Sequence, residues 1–138
     1  MVKRIAHIAL AVNDLDGSLS FWRDALGLEL HGVEEVAEQQ ASVAFLPAGD
    51  SQIELVRPTS DTTGVAKFLA KRGPGLHHVC LEVDDLAATL ASLAAQGVRL
   101  IDATPKLGAG GKLIAFVHPE STQGVLVELF QEPPALEE

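Results

Sequence analysis

Apolar and polar positions along the chain form two runs of similar shape. In the first, residues 5–12 are rich in Ile, Leu, Val and Ala and alternate weakly, which predicts a buried strand. Period two places Ile5, His7, Ala9 and Ala11 on one face of it. Asn13 and Asp14 are good N-cap types, because their short polar side chains accept from the open N–H groups of a helix start. Leu15, Leu19, Trp22 and Leu26 follow at spacings of 4, 3 and 4, the apolar stripe of an amphipathic helix, and Gly27 is placed to end it. Three more strands are predicted: 28–36, where acidic residues interrupt the pattern, then 42–46, then 51–57 after a proline and glycine turn at 47–50.

Residues 59–74 link this run to the second, with a short helix through Val65, Phe68 and Leu69 capped by Thr62 or Thr63. The order then repeats. A strand over 76–83 leads to Asp84 or Asp85 as a cap, a helix carrying Leu86, Leu90 and Leu93, and Gly97 at its end. A strand is predicted over 98–101, then a glycine-rich loop over 106–112, then strands over 113–117 and 124–130. Laid on each other, His7 falls on His78, Val12 on Val83, Asp14 on Asp85, Leu15 on Leu86 and Phe45 on Phe116, all 71 positions apart. Ile53-Glu54-Leu55 falls on Val127-Glu128-Leu129 at an offset of 74, the extra residues lying in the turn 118–123, where added length costs little. The expectation is a single domain over 1–138 with an internal repeat, 5–58 and 75–131, joined by the linker 59–74. The proline-containing acidic tail from Glu132 is expected to be loose.

Composition narrows the function. Hydrophobic residues make up 47% and charged residues 21%, a globular balance. A net charge of −9 disfavours nucleic acid, which needs a basic face, and requires a local basic patch for any polyanionic ligand. No apolar run is long enough for a bilayer span. Residues 1–5 lead straight into a strand, so no signal peptide is expected. Cys80 is the single cysteine, which rules out an intrachain disulfide and makes a cytoplasmic setting the default.

Each run supplies one histidine on its first strand and one glutamate on its last. Duplication repeats any residue, so the informative point is that the polar residues which recur stand in strands that otherwise read as core. Burying an unpaired carboxylate costs several kcal/mol, and a cation would offset it. Two imidazoles and two carboxylates suit Co²⁺, Mn²⁺, Ni²⁺, Fe²⁺ or Zn²⁺. A single strand histidine is more often structural; the symmetric pair of pairs is what argues for a site. Alternation turns His77 to the face opposite His78, and His31 and His118 have no counterpart in the repeat, His118 reading as a turn residue before Pro119.

These residues resemble the vicinal oxygen chelate, or glyoxalase-like, superfamily, and within it the methylmalonyl-CoA epimerase family. The resemblance covers about residues 7–131. Its most specific parts are Gly75-Leu76-His77-His78 with Glu82-Val83-Asp84, Pro105-Lys106-Leu107-Gly108-Ala109-Gly110-Gly111, Phe116-Val117-His118-Pro119, and Gly124-Val125-Leu126-Val127-Glu128-Leu129. It implies an α+β glyoxalase fold, two paired βαβββ modules forming a curved eight-stranded sheet around a metal-binding cavity. It implies His7, Glu54, His78 and Glu128 as ligands of a divalent metal, Co²⁺ first, and a homodimer.

The implied activity interconverts the (2R) and (2S) epimers of methylmalonyl-CoA, between propionyl-CoA and succinyl-CoA, by abstracting the α-proton and stabilising the enolate. Epimerisation needs an acid/base group on each face of the substrate. Glu128 is expected to be one. For the other, some family members have a glutamate on the third strand of the first module, where Ser42 stands here; Glu54, a water or Glu38 stay open. Lys106 and Lys112, flanking Gly108, Gly110 and Gly111, are expected to meet the phosphates of coenzyme A, with Lys67, Lys71 and Arg72 as a second basic cluster. The rivals are another metalloenzyme of this fold, such as a lactoylglutathione lyase or an extradiol dioxygenase, and a resistance-type protein that binds a small molecule.

Overall fold

The computed structural model describes residues 1–108 and 111–133. Gly110 of the predicted glycine loop, most of the tail and the side chain of Glu38 lie outside the described residues. The chain divides into two compact units. One is continuous, His7–His77; the other joins Met1–Ala6 to His78–Glu138. Strand β1, Val2–Ala11, contributes residues to both.

In the continuous unit, β1 is followed by a helix α1, Leu15–Leu19, which passes into a π-helical turn, Ser20–Ala25. Strands β2, Gly32–Val36, β3, Ala41–Ala48, and β4, Ser51–Pro58, come next, then helix α2, Gly64–Arg72. The strand order is β2-β3-β4-β1. Neighbours β2, β3 and β4 are antiparallel, while β1 runs parallel to β4. One face of these strands packs Val12, Ala44, Leu46 and Leu55 against Leu15, Leu19 and Trp22. The other face gathers Ala9, Val36, Ala41, Val43 and Val56, with Phe45 and Val65 against them. Asp14 caps α1 by accepting from the Asp16 N–H, and Thr63 caps α2 by accepting from the Ala66 N–H.

In the second unit, the first residues of β1 lie beside β5, Gly75–Val83, and helix α3, Leu86–Ala95, follows under an Asp85 cap. Strands β6, Lys106–Leu107, β7, Leu113–Val117, and β8, Val127–Gln131, complete it in the order β1-β5-β8-β7-β6. Strand β8 is parallel to β5 and antiparallel to β7. Val83, Leu86, Leu90, Ala115, Val117 and Leu129 form the buried layer under α3. Ala6, Cys80, Ile114 and Phe130, with Phe116, line the opposite face. The α+β class, the strand-helix-strands order and every strand but β6 follow the hydrophobic pattern.

Three boundaries depart from it. The first helix is not one α-helix. The Leu26 N–H donates to the Phe21 carbonyl, five residues back, and the wider π turn rotates Leu26 off the apolar stripe, leaving it half exposed. The strand expected over 28–36 begins only at Gly32, although Leu28 and Leu30 still pack on the α1 side of the core. The strand expected over 98–101 is a single bridge, Leu100 to Val117. There the Asp102 carboxylate accepts from the Phe116 N–H at 2.8 Å, taking a donor that a continuing strand would have bonded. The edge strand forms instead at Lys106–Leu107, inside the expected loop.

Candidate metal-binding and catalytic site

Parallel pairing of β1 and β4 sets Ala9 opposite Glu54 and His7 opposite Gln52. His7 and Glu54 therefore stand diagonally on one face, two residues out of step, within reach of each other's side chains. His7 Nδ1 lies 3.0 Å from Glu54 Oε2, with the two side chains only 16% and 14% exposed.

The same arrangement recurs in the other unit. Cys80 stands opposite Glu128 across parallel strands β5 and β8, and His78 is again two residues before that partner. His78 Nε2 lies 3.4 Å from Glu128 Oε1, with side chains 12% and 8% exposed. The edge of the Phe116 ring meets His78 at a centroid distance of 5.7 Å, and Phe116 is the β7 partner of Glu128. Each unit thus brings its own histidine and glutamate together in the same register. Carboxylates this buried need a compensating partner. The donors in each pair are an imidazole nitrogen and a carboxylate oxygen, the set that divalent first-row ions take. On donor chemistry the residues fit such an ion.

The expected substrate lysines contact two rings of the same unit as the second pair. Lys106 Nζ lies 5.5 Å from the centre of the Phe116 ring and 3.2 Å from Asp102 Oδ1. Lys112 Nζ lies 5.0 Å from the centre of the Phe130 ring and 3.7 Å from Glu132 Oε1. Both rings belong to the face that carries Cys80, so two half-exposed cations border it. A Cβ at Gly108 would come within 2.9 Å of Ile114 Cγ2, so the chain there lies against β7 with no room for a side chain. The Gly108 N–H donates to the Lys112 carbonyl and holds the loop closed at its base. Gly111 has a φ of +75°, a left-handed conformation suited to glycine.

Ser42 does not face the His7–Glu54 pair. It is buried with its hydroxyl donating to Glu35, and Arg57 Nη2 lies 3.4 Å away. In the antiparallel register Ser42 pairs with Arg57, whereas Phe45 pairs with Glu54, so alternation puts Ser42 on the α1 side. The β3 residues on the side of Glu54 are Ala41, Val43 and Phe45, none of them acidic. The carboxylate nearest in register on that side is Glu34, the exposed β2 partner of Val43. Sequence reasoning missed this; counting back from Glu54 through the turn at 49–50 would have found it.

His77 stacks edge-on against Phe68 of α2 at 5.2 Å and His118 accepts from the Glu120 N–H, both structural uses that fit their expected roles. Of the second basic cluster, Arg72 lies over the Phe68 ring at 5.6 Å. Cys80, read from sequence only for its redox meaning, is 1% exposed beside Glu128. Period two from His78 was the signal that could have placed it there.

Comparison with known proteins places the chain in context. Residues 6–116 match the model of the glyoxalase/bleomycin resistance protein/dioxygenase superfamily. The mitochondrial methylmalonyl-CoA epimerase of Mus musculus is 40% identical over 93% of this chain and 72% of its own length. The ethylmalonyl-CoA/methylmalonyl-CoA epimerase of Cereibacter sphaeroides is 36% identical over 95% of this chain and 99% of its own. A solved variant of the Streptomyces coelicolor methylmalonyl-CoA epimerase, in complex with 2-nitronate-propionyl-CoA, superposes with a TM-score of 0.88 at 34% identity, covering 100% of both chains.

Proposed function

Because the chain belongs to the glyoxalase/bleomycin resistance protein/dioxygenase superfamily and, within it, to the methylmalonyl-CoA epimerase family, we propose that it interconverts (2R)- and (2S)-methylmalonyl-CoA at a site built from His7, Glu54, His78 and Glu128. The observation that carries this reading is the repeated register: the same histidine–glutamate pair, at the same diagonal offset, in each unit. The four residues are proposed to hold one divalent ion, Co²⁺ in the first instance, with Mn²⁺, Ni²⁺ and Zn²⁺ as substitutes. When bound, the ion supplies Lewis-acid stabilisation of the negative charge that develops as the α-proton leaves.

The remaining steps fall to the chain's own groups. Glu128 takes the α-proton from one face of the substrate carbon, and Glu54 exchanges a proton on the other. No carboxylate of β3 serves there, since Ser42 points to α1 and Val43 stands on the Glu54 side. Ala9, Phe45, Phe116 and Phe130 supply the apolar walls beside these carboxylates, which strengthen charge interactions by excluding water. Lys106 and Lys112 meet the phosphates of coenzyme A, the local positive patch that a chain of net charge −9 requires. The same proposal includes a cytoplasmic homodimer acting between propionyl-CoA and succinyl-CoA. Among the described residues no helix is long and apolar enough to cross a membrane.

The test is proton NMR of methylmalonyl-CoA in D₂O with metal-stripped protein, before and after Co²⁺. Metal-dependent loss of the α-proton signal, followed by consumption of both epimers when a mutase is coupled, is the expected result. No enhanced exchange with any of these ions overturns the reading.

A further inference from the structure

Asp102 holds two neighbours at once. Its Oδ2 accepts from the Phe116 N–H at 2.8 Å, and its Oδ1 lies 3.2 Å from Lys106 Nζ, with the side chain 17% exposed. The Ile101 and Asp102 N–H groups donate in turn to the Phe116 carbonyl at 2.9 and 3.2 Å. The carboxylate is thereby fixed to the backbone of β7. Lys106 stands opposite Ile114 across β6 and β7, and Ile114 belongs to the face that carries Phe116 and Phe130. That face also carries Glu128, the register partner of Phe116. Lys106 therefore projects on the side of the second His–Glu pair, and its ammonium ends 5.5 Å from the centre of the Phe116 ring. A half-exposed lysine has many rotamers, and holding an anion means giving most of them up. The pair with Asp102 selects the rotamer over the ring before a ligand arrives.

Resting on the assignment of Lys106 to the phosphates of coenzyme A, we propose that Asp102 is a positioning residue for substrate binding, which presents the Lys106 ammonium to a phosphate of the acyl-CoA. The carboxylate takes one of the ammonium N–H donors and leaves the rest for the incoming anion. Its own charge repels a phosphate, but the lysine end of the pair is open to water and salt, which screen that repulsion. The ordering of Lys106 is not screened, so the net effect of Asp102 is tighter binding.

The experiment measures the dissociation constant of acetyl-CoA, which carries the same phosphates and lacks the α-carboxylate, by calorimetric titration of the full chain. The natural sequence is compared with Asp102→Asn, Lys106→Ala and the double variant. The amide oxygen of an asparagine still accepts from the Phe116 N–H, so Asp102→Asn releases Lys106 and keeps the backbone contact. Asp102→Asn is expected to weaken binding about fivefold in the natural background, the cost of ordering one long side chain, and to change nothing where Lys106 is already replaced. An equal loss in both backgrounds means that Asp102 acts through the shape of the loop, and overturns the proposal. Tighter binding by Asp102→Asn overturns it too, because repulsion then outweighs ordering. If Lys106→Ala leaves the dissociation constant unchanged, the phosphate role of Lys106 falls and the positioning role with it. Should Asp102→Asn not fold, Asp102→Ser takes its place in the same cycle, with the same outcomes.

Discussion

Arg4 donates from Nε to Glu82 Oε1 at 2.7 Å, binding the start of β1 to the end of β5 within one unit. Lys3 Nζ lies 3.4 Å from the other carboxylate oxygen. Burial pushes the Glu82 carboxyl up, but hydrogen bonds from Arg4 and Lys3, with their charges, outweigh it and hold the group below the usual glutamate range. A carboxyl whose pKa is lowered in the folded state stabilises the fold above its unfolded pKa and loses that contribution as pH falls through the folded value. Thermal unfolding is therefore expected to show Glu82→Gln less stable than the natural sequence at neutral pH. The gap should begin to narrow near pH ~4.3, the unfolded glutamate value, and close only as pH falls through the lower folded value. A constant gap down to low pH would show that the ion pair is not the source of the difference.

Glu128→Gln keeps the shape of the side chain and removes its basicity. Deuterium exchange at the α-carbon is expected to fall by about 10²-fold or more, with the circular dichroism spectrum unchanged. Survival of activity within about tenfold would contradict the role given to Glu128.

If His7, Glu54, His78 and Glu128 hold the proposed ion, adding it to metal-stripped protein should raise stability as well as turnover. At a free Co²⁺ concentration 100 times its dissociation constant, the fold is expected to gain about 2.7 kcal/mol. Calorimetric scans of metal-stripped protein with and without Co²⁺ measure it, and His78→Ala should abolish most of the gain.

Lys106→Ala and Lys112→Ala are expected to raise KM several-fold with little change in kcat, since each removes a charge proposed to bind the substrate away from the reacting carbon. The double variant should also lose much of the salt dependence of kcat/KM. Steady-state kinetics at two ionic strengths check both statements.

Ser42→Ala tests the register of β3. With its hydroxyl bound to Glu35 on the α1 side, the variant should lose about 1 kcal/mol of stability and keep full exchange activity. A loss of activity at unchanged stability would mean that residue 42 serves the chemistry.

The half-sites were legible because two periodicities agreed. Period two put His7 on one face with Ala9 and turned His77 away from His78, and the repeat then carried Glu54 onto Glu128. What pattern alone misjudged were positions where one side chain or one hydrogen bond decides. Val98 to Ile101 has the composition of a strand, yet the Asp102 carboxylate takes the Phe116 N–H and the ladder shifts to Lys106. Leu26 keeps helical spacing, yet a π turn moves it off the core. Ser42 is separated from the Glu54 side by a single residue, and in a strand one residue reverses the face. Lys106 and Lys112 carry no periodic signal; only the structure sets them over Phe116 and Phe130.

Dividing β1 between two units has a consequence for biosynthesis. Residues 7–77 form one compact unit and can begin to close as the chain emerges from the ribosome. Residues 1–6 must wait for β5: Arg4 meets Glu82 only after another 78 residues have been made, roughly 4 to 16 s at 5–20 residues per second. During that interval the first half of β1 is an unpaired strand edge, the feature by which nascent chains stick to one another. Lys3 and Arg4 sit on that edge, so the cations that later hold Glu82 first serve as gatekeepers against aggregation.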